Sequence, residues 1–95
     1  MLEIDTFERN GKTFQYIRLS LEKAPLLLIK GQAGFVMCGY LNIDAAEKLG
    51  DFAVRVTGVN DLDSMLGSKI SQVTSKARQA GISEGQTVAD VLEYL

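Results

Sequence analysis

Residues 34–42, GFVMCGYLN, hold the only cysteine of the chain, with a glycine four residues before it and another immediately after. Cys38 admits two readings. As a nucleophile it needs its thiol pKa pulled below about 8.5 by a cation or a helix N-terminus. Arg55 is the candidate cation, provided its strand lies beside that of Cys38. An enzyme built this way would use Cys38 to attack and Arg55 to stabilise a thiolate or anion, with Asn42 and Asp44 completing the polar side of the pocket. As a small apolar filler, Cys38 would simply sit in a buried strand, where free cysteine is common. Gly34 and Gly39 either let a ligand approach the backbone or serve a turn and a bulge. Gly39, Asn42 and Asp44 are the ligand-binding candidates, although Asp44 also suits a helix N-cap. Arg55 is solvated on an outer face or paired with a carboxylate, because an unpaired buried charge is very costly.

Composition removes other chemistries. The chain has no histidine, which excludes Ser-His-Asp and Cys-His catalysis and any histidine metal site. One cysteine makes no intramolecular disulfide, CxxC zinc ribbon or thioredoxin-type motif. Asp61 and Asp63 in NDLDS resemble the start of a calcium loop, but the later glycine and glutamate are missing. N-capping accounts for these acids, so no metal and no cofactor are expected. No glycine-rich loop leads into a helix with a GKS or GKT ending. The formal charge of -2 does not attract phosphate backbones. ARQAG followed by a helix has helix-turn-helix spacing, but its would-be reading helix carries Asp90 and Glu93 and no basic residue. No nucleic-acid partner is expected. The N-terminus lacks a signal peptide's apolar segment. The longest greasy run, residues 24–29, is too short to span a bilayer. The reading is a cytoplasmic, soluble protein of one domain, residues 1–95.

The elements that must position these residues fall in two zones. A hairpin closes at Asn10-Gly11, a pair suited to a type I′ turn. It sets Phe7 opposite Phe14, Ile4 opposite Ile17 and Leu2 opposite Leu19. A second hairpin joins PLLLI to GFVMCGYL, with glycines at the turn. Asp44, with Glu47 as capping-box partner, opens a short helix that Gly50 ends. Residues 52–59 alternate as a fifth strand. The second zone is helical: a turn near residues 61–66, a helix with Ile70, Val73, Thr74, Ala77 and Ala80 on one face, and a last helix capped by Thr87 with Val88, Val91, Leu92 and Leu95 as its apolar stripe.

GFVMCGYLNID, RVTGVNDLDSML and SQVTSKARQAGISEG together resemble the YunC-like family of small bacterial and archaeal domains, domain of unknown function 1805. The pattern is G-aromatic-aliphatic-M-C-G at Gly34, Phe35, Val36, Met37, Cys38 and Gly39. An arginine strand follows at Arg55 with Gly58 and Val59, then a turn at Gly81, Ile82 and Gly85. The resemblance runs from about Leu19 to the C-terminus and implies a compact prokaryotic α/β domain. It implies no activity.

The expected fold is α+β, a mainly antiparallel sheet of about five strands with C-terminal helices packed on it. The sheet is apolar on both faces and the helices suffice for one. A homo-oligomer is therefore expected to hide the other face, with Phe7, Phe14 and Tyr16 on the interfacial side. The function read from the sequence is a self-associating domain that binds a partner or small ligand; the alternative is the Cys38 enzyme.

Overall fold

The structure is a computed structural model that describes residues 1–95. Asn10 and Gly11 both take positive φ (53° and 77°), the twist a two-residue hairpin needs. They join β1 (Leu2–Arg9) to β2 (Lys12–Ser20) in the expected register. β3 (Pro25–Lys30) and β4 (Phe35–Met37) add antiparallel neighbours. Helix α1 (Ile43–Leu49) then crosses to β5 (Ala53–Arg55), which pairs parallel to β4. After α2 (Leu62–Gly67), β6 (Gln72–Val73) closes a six-stranded sheet in sequence order. Helices α3 (Ser75–Gln79) and α4 (Val88–Val91) and a 3₁₀ turn over Leu92–Tyr94 complete the α+β domain.

Strand alternation divides the sheet into two faces. The inner face carries Phe14, Tyr16, Leu27, Ile29, Val36, Cys38, Val54 and Val56, which form one core with Met65, Leu66, Ala77, Ile82, Val88, Val91, Leu92 and Leu95. On the outer face, α1 lays Ile43 and Ala46 over Met37 and Ala53. β4 and β5 meet closely because position 34 is glycine: a Cβ there would lie 2.5 Å from the Phe52 carbonyl oxygen. Contacts that tight are overpacked.

Several expectations need correcting. The sheet has a sixth strand, where a helix over residues 70–80 was expected. Ile70 is buried, but its N–H and C=O are taken by Gln86 and Gly85. Gln72 and Val73 then pair with β5, so α3 starts only after Thr74. The buried Thr74 hydroxyl accepts the N–H groups of Ala53 (3.1 Å) and Ala77 (3.4 Å), tying sheet to helix. The N-cap of α1 is Asn42, not Asp44: its Oδ1 accepts from the N–H groups of Asp44 (2.8 Å) and Ala45 (3.2 Å). The helix starts at Ile43 because that side chain must reach Met37 and Ala53. Thr87 precedes α4 without a side-chain cap bond. Phe14 and Tyr16 are core residues, and Phe7 stacks on Phe14 with ring centroids 5.4 Å apart. Within β1 and β2 the exposed large apolar side chains are Leu2, Ile4 and Leu19, on the opposite face.

Glu47 is no capping-box partner of Asp44. Its Oε1 accepts from the N–H (2.8 Å) and hydroxyl (2.7 Å) of Ser75, joining α1 to the start of α3. The side-chain and then the backbone hydrogen bond from Ser75 hold the Glu47 carboxyl below its ordinary pKa. A lowered folded-state pKa gives stability that is present above the unfolded value, about 4.3 for glutamate, and lost as pH falls through the folded one. Urea midpoints measured from pH 7 to pH 3 should therefore fall less steeply for Glu47→Gln than for the wild type. Equal slopes would show that the link carries no pH dependence.

Candidate functional site

β4 ends at Met37 because the chain turns away: the Cys38 carbonyl accepts the Leu41 N–H (3.2 Å) instead of continuing the ladder. Leu27, opposite on β3, keeps its N–H directed at β4, and that N–H donates to Cys38 Sγ at 3.3 Å. The thiol replaces the carbonyl that the turn withdraws. Cys38 is 2% exposed and faces the inner core. It borders a cleft of about 290 Å³ walled by Pro25, Tyr40, Gly58 and Val59.

Arg55 lies on the neighbouring strand, as the thiolate reading requires, but pairs with Met37. Its side chain therefore leaves the sheet on the face opposite to Cys38. There it holds the departing loop: Nε donates to Leu41 O (3.2 Å), Nη2 to Gly39 O (3.0 Å) and Nη1 to Gln72 Oε1 (2.8 Å). Neither ion pair of the chain, Arg18–Glu3 or Arg78–Glu84, involves Arg55. Its charge is met by neutral acceptors, not by the expected carboxylate.

Gly39, Asn42, Asp44 and Arg55 do come together. They line an open cleft of about 370 Å³, with Tyr40 and Gln72. Tyr40, half exposed, and Gly39 border both this cleft and the one beside Cys38. Asn42 is committed to capping α1 and Arg55 to the loop, which leaves Asp44 and the outer edge of the guanidinium free to meet a ligand. No cluster of three or more histidine, cysteine or acidic side chains is placed to hold a metal.

Sequence reasoning missed the widest concavity, about 700 Å³, where Glu3, Asp5 and Tyr16 of the hairpin face Asp61 and Asp63 at the start of α2. Alternation in LEID places Glu3 and Asp5 on one face. Nothing local brings residue 61 to them.

A family model described as a domain of unknown function, DUF1805, matches residues 37–95. The chain belongs to the DUF1805 family. The match begins at Met37 and so includes Cys38, Gly39, Asn42, Asp44 and Arg55. The uncharacterized protein YunC of Bacillus subtilis (strain 168) is 25% identical over 97% of this chain and 95% of its own length. A crystal structure of TA1206 from Thermoplasma acidophilum, a protein of unknown function, is 44% identical and superposes with a TM-score of 0.98. It covers 100% of this DUF1805 chain and 93% of its own. The family and both relatives are described as of unknown function, so the likeness indicates no specific activity.

The Cys38 geometry gives a test. Cys38→Ala strands a buried N–H, which costs about 1–3 kcal/mol. Chemical denaturation should show that loss, and the Leu27 amide should exchange faster with solvent. An unchanged Leu27 exchange rate would remove the thiol's role as acceptor.

Proposed function

We propose that this domain works as a homodimer that presents its clefts to a small ligand, with the dimer formed through the outer face of β1, β2 and β3. The observation that carries the reading is a grid of six aliphatic side chains. The register sets Leu2, Leu19 and Leu26 in one row and Ile4, Ile17 and Leu28 in the next. Leu2 is 56% exposed, Ile4 62% and Leu19 37%. The grid contains no charge, and α1 covers only the β4–β5 end of this face.

A second copy fits it. A two-fold axis running along β2 sets Leu2 over Leu26, Ile4 over Leu28, and Leu19 and Ile17 over themselves, the self-complementarity that an isologous interface needs. The next rows bring Lys30 beside Glu8 of the second copy. Packed sheets lie about 10 Å apart, so the α1 ridge stands against the free β1 edge of the second copy and shields it. Glu3, Asp5 and Arg55 lie clear of the grid, so their clefts stay open.

The ligand half of the reading is supported by Arg55, whose charge has no carboxylate partner in a cleft shared with Gly39, Asn42 and Asp44. A small polar molecule carrying an anionic group suits it. The enzymatic alternative would need Cys38 to act without Arg55, which faces away from it. The protein is read as cytoplasmic because its one cysteine is a free, buried thiol, which suits a reducing compartment. No helix is long and apolar enough to cross a membrane.

Light scattering at micromolar concentration is expected to give twice the monomer mass for the wild type and the monomer mass for Ile4→Lys, with unchanged circular dichroism. A wild type still monomeric at about 100 micromolar, a dissociation constant weaker than about −5.5 kcal/mol, would overturn the dimer.

A further inference from the structure

The inner face of the hairpin changes character along its length. Phe7 and Phe14 lie in the core, Asp5 is opposite Tyr16, and Glu3 is opposite Arg18. The start of α2 lies across from this charged end, and between them is the cleft of about 700 Å³. Glu3 and Asp5 form one wall, Asp61 and Asp63 the other.

Tyr16 distinguishes this cleft from an ordinary solvated acidic surface. The residue is 4% exposed, so its ring belongs to the core. Its hydroxyl makes no hydrogen bond within the chain, yet it is not sealed in: no buried side-chain oxygen lacks a partner. The hydroxyl therefore opens on the cleft that Tyr16 lines. Burial raises its pKa; Arg18 opposes this, and Glu3, Asp61 and Asp5 add to it. It remains a neutral hydroxyl that can donate or accept.

The one cation of the cleft is largely committed. Arg18 donates to Asn60 O (3.1 Å) and Ser20 Oγ (3.0 Å), and lies 3.8 Å from Glu3. Asp61 accepts the Ser64 N–H through one oxygen (2.8 Å). Most of the carboxylate charge is left unmatched. It is also spread: no three acidic groups converge closely enough to hold a metal ion. A compact divalent cation does not match that distribution. A chain of ammonium groups joined by methylenes does, with its ends on opposite walls and its stems against Leu62 and the Tyr16 ring.

We propose that this cleft binds a linear aliphatic polyamine, with ammonium groups on the Glu3/Asp5 wall and the Asp61/Asp63 wall and a third polar contact at the Tyr16 hydroxyl. The site lies on the face of the hairpin opposite the aliphatic grid, so it does not depend on the dimer.

The test is calorimetric and NMR titration of the full chain with spermidine at fixed ionic strength. Saturable binding is expected, with amide shifts centred on Tyr16, Arg18 and residues 60–63. Tyr16→Phe keeps the ring and should weaken binding about tenfold, as for one hydrogen bond to a charged group. Asp5→Asn with Asp63→Asn, both exposed, should weaken it at least as much. Magnesium or butylamine giving the same shifts at equal charge would reduce the cleft to a screened acidic surface and overturn the proposal. So would equal affinity in Tyr16→Phe.

Discussion

The parallel pairing of β4 with β5 is the constraint on which the rest of the structure depends. Parallel neighbours cannot be joined by a tight turn; they need a crossover of a dozen or more residues. Residues 38–52 supply it, and they cross the outer face as α1. The crossover forces the chain off the sheet after Met37. That departure costs β3 a carbonyl acceptor, which the Cys38 thiol replaces, and it leaves a loop that Arg55 holds from the next strand. The glycine at 34 is the price of bringing β5 this close. Candidate site and fold are thus one arrangement: the residues that looked chemical are those that manage the switch from antiparallel to parallel pairing.

The same crossover divides the hydrophobic burial unequally. The apolar part of the inner face meets α2, α3, α4 and the C-terminal 3₁₀ turn and is closed, which leaves only its charged end at Glu3 and Asp5 open. The outer face meets only α1, seven residues long, which reaches β4 and β5 and stops. Leu2, Ile4 and Leu19 are left in water. Burying the exposed part of such a side chain is worth about 1 kcal/mol. Three from each copy together match the lower end of the association cost, about 4–15 kcal/mol. The proposed dimer would therefore also have to draw on the half-buried Ile17, Leu26 and Leu28 and on contact between α1 and the β1 edge of the second copy. The register puts all six side chains on one face, where a single partner surface would bring them in together.

What was readable in the sequence follows the range of the forces involved. The β1–β2 register follows from Asn10-Gly11 and from alternation, both local, and the split of Phe7 and Phe14 from Leu2 and Ile4 came with it. Which of those faces was the core was not local. Two aromatic side chains on one strand suit either face, and only the arrival of α2 and α4, from more than forty residues away, decides it. Ile70, Val73, Thr74 and Ala77 fit a helical stripe as well as a strand followed by a capped helix; the free edge of β5 decided for the strand. The grouping of Gly39, Asn42, Asp44 and Arg55 in one cleft was legible because strand, loop and crossover are adjacent in sequence. The separation of Cys38 from Arg55 depended on which residue of β4 pairs with Arg55, and a shift of one residue reverses that answer. The acidic cleft joins residues 3 and 61, beyond any local pattern.

The most direct test of the central claim, that the bare end of the outer face meets its own copy, is cross-linking at the axis of the proposed dimer with a short bis-maleimide, because facing sheets hold their Cα atoms too far apart for a disulfide. In that dimer Leu19 of β2 would face its own copy across the axis, whereas the exposed Ser83 follows Ile82 of the inner core, behind the sheet. With the bis-maleimide, Leu19→Cys should cross-link chain to chain rapidly and nearly completely, and Ser83→Cys should not. Equal, slow cross-linking of both variants would mean random collision between monomers and would contradict the account.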